Sequence, residues 1–95
     1  MAEFDLDKIA AVWAQRGFSC DLWVDPAGQL WENFAHDVDE IVMVIEGEME
    51  FHVGGKLHHL QAGDELLIPA RVVHSSLNIG TSIARWLYGF RVLDS

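Results

Sequence analysis

The chain has 95 residues, enough for one domain with one core. Fifteen acidic against six basic side chains give a formal net charge of -9, which repels a phosphate backbone and an anionic membrane surface, so no nucleic-acid and no membrane partner is expected. Hydrophobic residues make up 51% and mean hydropathy is +0.14, rich for a chain with so much surface for its volume. Part of that apolar material is expected at a subunit interface, with a homodimer the simplest outlet.

Asp5 to Arg16 reads as a short helix. Asp5 or Asp7 can cap it, Ile9, Val12 and Trp13 fall on one stripe, and Gly17 stops it. It is expected to cover apolar sheet surface or a neighbouring subunit. The acidic N-terminus lacks a basic segment followed by an apolar one, so no secretion signal is read there. No apolar run approaches membrane-spanning length. The lone Cys20 cannot form an internal disulfide, fits a reducing cytoplasm, and reads as a small buried hydrophobe on a strand.

From Phe18 the pattern turns to strands. Phe18 to Val24 is strand-like, Asp25-Pro-Ala-Gly28 is a turn, and Leu30 to His36 is a second strand. Ile41 to Ile45 is an unbroken run of β-favouring apolar residues, so both its faces should be buried. Glu48 to Val53 alternates, with Met49, Phe51 and Val53 facing in, and Gly54-Gly55 closes a tight hairpin into Lys56 to Leu60. Gly63-Asp64 turns into Glu65 to Ile68, Pro69-Ala-Arg71 turns again, and Val72 to Leu77 and Ser82 to Leu93 complete the strands. Many short strands after one helix indicate an antiparallel sandwich or barrel.

Two stretches carry metal-capable side chains. His36 and Glu40 would lie about 13 Å apart on a straight strand, but Asp37-Val38-Asp39 is turn-prone, and a reversal there brings Glu40 back towards His36. His74 follows Pro69, with Ser76 and Asn78 on its own strand face. If that face closes inward, two imidazoles and one carboxylate point into an apolar interior. Such groups are costly to bury unless a metal, a water or a hydrogen-bond network satisfies them, and the spacing leaves those alternatives open. His52, His58 and His59 flank the hairpin and read as solvent-facing strand residues. Most of the aromatic side chains read as core or interface. Trp31, on the strand of His36, is the best candidate to line a pocket with Phe34.

Glu40, six residues and Gly47 resemble the end of the first signature motif of the cupin superfamily, which usually begins His-x-His. Gly63, five residues, Pro69, then His74, three residues and Asn78 resemble the second. Together they span most of residues 34–78. The resemblance implies an all-β, small antiparallel jelly-roll barrel forming a single domain over 1–95, with a helix in 1–17 and the barrel in 18–95. It also implies metal-ligand positions at His36, Glu40 and His74. Phe34 stands where the first histidine is usual, and Arg71 where the second motif often has glycine.

Two functions follow. In the first, His36, Glu40 and His74 hold a divalent transition metal (Fe, Mn, Ni or Zn) with positions left open for a small-molecule substrate, as an oxygenase- or isomerase-type enzyme would need. In the second, the barrel captures a small molecule without metal or catalysis. Asn78 reads either as a pocket residue supporting the ligands or as a turn cap.

Overall fold

The structure is a computed structural model that describes residues 4–92. Helix α1 (Leu6–Gln15) is followed by eight strands: β1 (Asp21–Asp25), β2 (Leu30–Phe34), β3 (Glu40–Glu46), β4 (Glu48–Val53), β5 (Lys56–Gln61), β6 (Glu65–Ile68), β7 (His74–Asn78) and β8 (Ala84–Phe90). They form two antiparallel four-stranded sheets, ordered β1-β8-β3-β6 and β2-β7-β4-β5. Apart from the β4–β5 hairpin, which stays in one sheet, the chain alternates between the sheets, as in a jelly roll.

The expected closed barrel is an open sandwich. Among the described residues no strand pair joins one sheet to the other. At the edge strand β2 the pairing with β7 shifts between Trp31 and Phe34, where Asn33 takes φ +61°, and resumes at Phe34 opposite His74.

Between the sheets lie Val42, Val44, Met49, Phe51, Leu60, Ile68, Ala84 and Trp86. The other face of β3 also needs cover, because Ile41 is as fully buried as Val42. Trp13 of α1, with Phe18 and Leu87, supplies that cover. This is why the 41–45 run is apolar at every position: one set of side chains meets the opposite sheet, the other meets the helix. Asp5 caps α1, its carboxylate accepting from the Lys8 backbone N–H at 3.1 Å. Val12, expected on the packed stripe, is 46% exposed.

Gly89 permits the helix to dock. It sits within β8 opposite Ile41, and a Cβ there would overlap the Ser19 carbonyl and press on the Trp13 ring. The Gly54-Gly55 hairpin forms as expected, both residues taking positive φ, as a type I′ turn requires. The flanking strands are shorter than the sequence suggests. Phe18 joins Arg91 by a single bridge, Cys20 precedes β1, and β8 ends at Phe90; Leu93 lies outside the described residues.

Candidate metal centre and ligand cavity

The sheets present one carboxylate and two imidazoles to each other at one end of the sandwich. Glu40 is the first residue of β3, in one sheet, and His74 the first of β7, in the other. His36 lies on neither. β2 ends at Phe34, two residues short of the expected strand, and His36 belongs to the segment that crosses between sheets.

That crossing is tied down by backbone contacts. The Arg71 N–H donates to the His36 carbonyl at 2.6 Å, and the Ala70 N–H donates to Asp39 Oδ1 at 2.8 Å. Arg91 reaches the other Asp39 oxygen at 3.2 Å. These donors, the Ala70 N–H foremost, hold the Asp39 carboxyl below the ordinary carboxylate range. The bend at Asp37-Val38 therefore folds Glu40 back beneath His36, as the turn-prone residues suggested.

Glu40 Oε1 stands 3.2 Å from His74 Nε2 and 3.5 Å from His36 Nε2. One ligand atom from each of the three residues falls within 4.8 Å of the others. His74 Nδ1 lies 3.2 Å from the Val72 carbonyl, which can only accept, so Nδ1 carries the proton and the neutral ring turns its Nε2 lone pair towards Glu40. Glu40 Oε1 is buried and accepts no well-formed hydrogen bond. A lone pair facing a shielded carboxylate oxygen is unfavourable until a cation, proton or metal, comes between them. The Glu40 carboxylate accordingly raises the His74 pKa above its ordinary value, against the opposing effect of burial. The donor set, two imidazoles and one carboxylate, fits a divalent transition metal.

Beside the cluster opens a cavity of about 260 Å³, walled mainly by aromatic rings. Phe34 pairs with His74 across the β2–β7 ladder, its ring centroid 6.4 Å from the imidazole, and Trp31 is 6.2 Å further along. Phe34 and Trp31 thus line the cavity. Asn78 does not. It is 1% exposed and spans two loops, its amide donating to the carbonyls of Asp25, Pro26 and Ser82 while its oxygen accepts from the Gly80 N–H. Of its two expected roles, turn capping is the one its contacts perform. Arg71 is exposed and lines no part of the cavity, and His59 pairs on the surface with Glu48 at 2.9 Å.

One contributor reads in the sequence only as a turn residue. Asp25, 1% exposed, accepts from three indole N–H groups: Trp23 at 2.8 Å, Trp31 at 3.0 Å and Trp86 at 3.0 Å. Its signal was the Trp23-x-Asp25 spacing, which places both on one face of a strand. Trp86, Tyr88 and Phe90 line the cavity from β8, two residues apart along one strand face.

A family model described as "Cupin domain" matches residues 22–90. No curated protein sequence matches the chain. Among solved structures, the cupin domain of Cnp3 from Schizosaccharomyces pombe is 18% identical with a TM-score of 0.75, over 81% of this chain and 57% of that one. An oxalate oxidase is 26% identical with a TM-score of 0.71, over 81% of this chain and 43% of that one. An RmlC-like cupin from Shewanella frigidimarina is 22% identical with a TM-score of 0.71, over 83% of this chain and 69% of that one. The chain thus spans about half the length of the first two.

Proposed function

The chain belongs to the cupin family, and on that premise we propose that His36, Glu40 and His74 hold a divalent transition metal beside a chamber for a small-molecule substrate, forming a metal-dependent enzyme of oxygenase or isomerase type. One observation carries the reading: Glu40 Oε1 is shielded from water, faces two imidazoles and has no hydrogen-bond partner. A buried acceptor left so costs about 1–3 kcal/mol, which a bound cation removes. The Val72 carbonyl supports the same reading by fixing the His74 tautomer with Nε2 free to ligate.

Iron, manganese, nickel and zinc all suit this donor set. Such an ion supplies Lewis-acid or redox chemistry at positions that three protein ligands leave open. The chain's own part is to orient and to exclude. Glu40 and His74 are held by opposite sheets, His36 by its anchored carbonyl, and the Phe34 and Phe90 rings line the cavity beside the cluster. The likeness to an oxalate oxidase supports the enzymatic reading.

Metal analysis of protein purified without a histidine tag tests it. About one transition metal per chain, lost in His74→Ala and Glu40→Ala, is expected. Protein that stays metal-free after incubation with each candidate ion, and melts at the same temperature with and without it, overturns the reading. Phe34, an aromatic ring beside His74 where a ligand is usual in the family, favours a second reading, a non-catalytic cupin that captures a small molecule without metal.

A homodimer is part of the proposal. Leu22 and Val24, on the face of β1 turned away from Trp23, and Leu30 of β2 are 41–48% exposed, apolar side chains that a second copy would cover. Light scattering at micromolar concentration giving the monomer mass would overturn it. The single cysteine supports a reducing, cytoplasmic setting. No helix among the described residues is long and apolar enough to cross a membrane.

A further inference from the structure

Three tryptophans share one buried anion, and this gives the cavity a chemical preference that its metal-capable end does not. Trp23, Trp31 and Trp86 each direct their only polar atom, the indole N–H, at the Asp25 carboxylate. With those edges committed, the indoles have no other hydrogen-bonding group to offer a ligand. What remains is ring surface.

The rings stand as walls. Trp23 meets Trp31 at 72° with centroids 6.0 Å apart and meets Tyr88 at 80° and 6.2 Å, while Trp86 meets Tyr88 at 58° and 5.9 Å. Steeply inclined electron-rich rings around a small space are the arrangement that holds a quaternary ammonium group by cation–π attraction. The Asp25 charge lies within hydrogen-bond distance of all three indoles and makes the potential over them more negative. Among the described residues no lysine or arginine lines the cavity, and the chain's net charge of -9 draws cations to it. A volume of about 260 Å³ limits the occupant to a small molecule.

We propose that this aromatic box selects a small organic cation, a quaternary ammonium compound or its close equivalent, with Asp25 as the positioning residue that aims the three indoles and supplies the field behind them. The proposal rests on reading the cavity as the ligand chamber, and it stands whether or not the histidine cluster holds a metal. Phe34 and Phe90 lie along the cavity wall between the two ends: Trp31 adjoins Phe34, which adjoins His74, and Tyr88 adjoins Phe90, which adjoins His36. A positive head group at the tryptophan end is therefore spaced from any ion at the other.

The test compares choline with 3,3-dimethylbutan-1-ol, its neutral isostere, by calorimetric titration and indole fluorescence on the full chain, once after chelator treatment and once with manganese added. The expected result is choline binding at least about tenfold tighter than the alcohol in both states. Trp31→Leu, on an exposed edge strand, should weaken choline about tenfold while changing the alcohol less. Asp25→Asn should bring the two affinities together, a loss of charge selection that looser packing alone would not produce. If Asp25→Asn does not fold, the Trp31→Leu comparison decides. Equal or tighter binding of the alcohol, or no choline binding at millimolar concentration, overturns the proposal. A failed metal reading shows separately, as selection for choline that persists in protein unable to retain manganese.

Discussion

Glu40 and His74 come from opposite sheets and meet at 3.2 Å, the carboxylate oxygen buried and the imidazole already bonded at its far nitrogen to the Val72 carbonyl. In metal-free protein the only cation that can reconcile them is a proton on His74. The folded-state pKa of His74 is raised above 6.5, so its contribution to stability is complete below 6.5 and is lost as pH rises through the folded value. Melting temperature in chelator should therefore fall from pH 6 to pH 8, and Glu40→Gln should flatten the slope. A divalent metal, which competes with protons for the same nitrogen, should reverse the trend.

A ligand that binds only the folded chain stabilises it by about 2.7 kcal/mol at a hundredfold excess over Kd. For a chain of this size that raises Tm by roughly 10–20 °C. Thermal melts with each of the four candidate ions should show such a rise for at least one, and His36→Ala or His74→Ala should remove it.

Phe34 marks where that affinity can be raised. It pairs with His74 in register on the β2–β7 ladder, and its ring lines the cavity beside the cluster. Phe34→His places a third imidazole within reach of the same point. Metal affinity measured by competition with a chelator should rise by about tenfold or more, since a fourth protein ligand replaces water.

The core and the site differ in how far the sequence exposed them, for a physical reason. Alternation in 48–53 and the unbroken run at 41–45 follow directly from which faces are covered, and Ile41 and Met49 lie where those patterns put them. The turn at 37–39 was legible because Asp residues prefer to reverse a chain. Asp25 was not, because a carboxylate after a strand looks the same in a solvated turn as beneath three indoles from β1, β2 and β8. Asn78 was half legible: its type suits a cap over the nearby Gly80 and Ser82, but nothing local says that it also reaches Asp25 and Pro26. Long-range partners leave no trace in short-range spacing.

Asp25 accordingly carries more stability than its position in a turn suggests. Asp25→Ala strands three indole N–H groups, one of them on the buried Trp86, at a cost of about 1–3 kcal/mol for each donor left unpaired in the interior. A loss of roughly 1–3 kcal/mol in urea unfolding is expected, mostly from Trp86, since Trp23 and Trp31 are partly exposed. Aromatic near-ultraviolet dichroism should weaken with it as the tryptophans lose their fixed orientation.

Gly89→Ala tests the seat of the helix. The added methyl would collide with the Ser19 carbonyl and the Trp13 ring, and backbone cannot yield as a flexible side chain can. A destabilisation of about 1–3 kcal/mol or more is expected by thermal melt. Because His36, Glu40 and His74 are carried by the 35–39 crossing, β3 and β7 and not by α1, any metal content of the folded fraction should be unchanged.

The two departures from the family motif should behave oppositely when reverted. Phe34 changes what the site can hold, whereas Arg71 changes only how the chain reaches it. Arg71 sits at φ +66°, a left-handed conformation that costs a side chain about 1–2 kcal/mol, yet its N–H is what anchors the His36 carbonyl at 2.6 Å. Glycine adopts that φ freely and keeps the N–H, while making the unfolded chain more flexible by about 0.4–1 kcal/mol. Arg71→Gly should thus gain a net of about 0.5–1 kcal/mol in urea unfolding and leave metal affinity unchanged. Arg71→Pro, which cannot donate that hydrogen bond and cannot take a positive φ, should release His36 and lower metal affinity even in protein that remains folded.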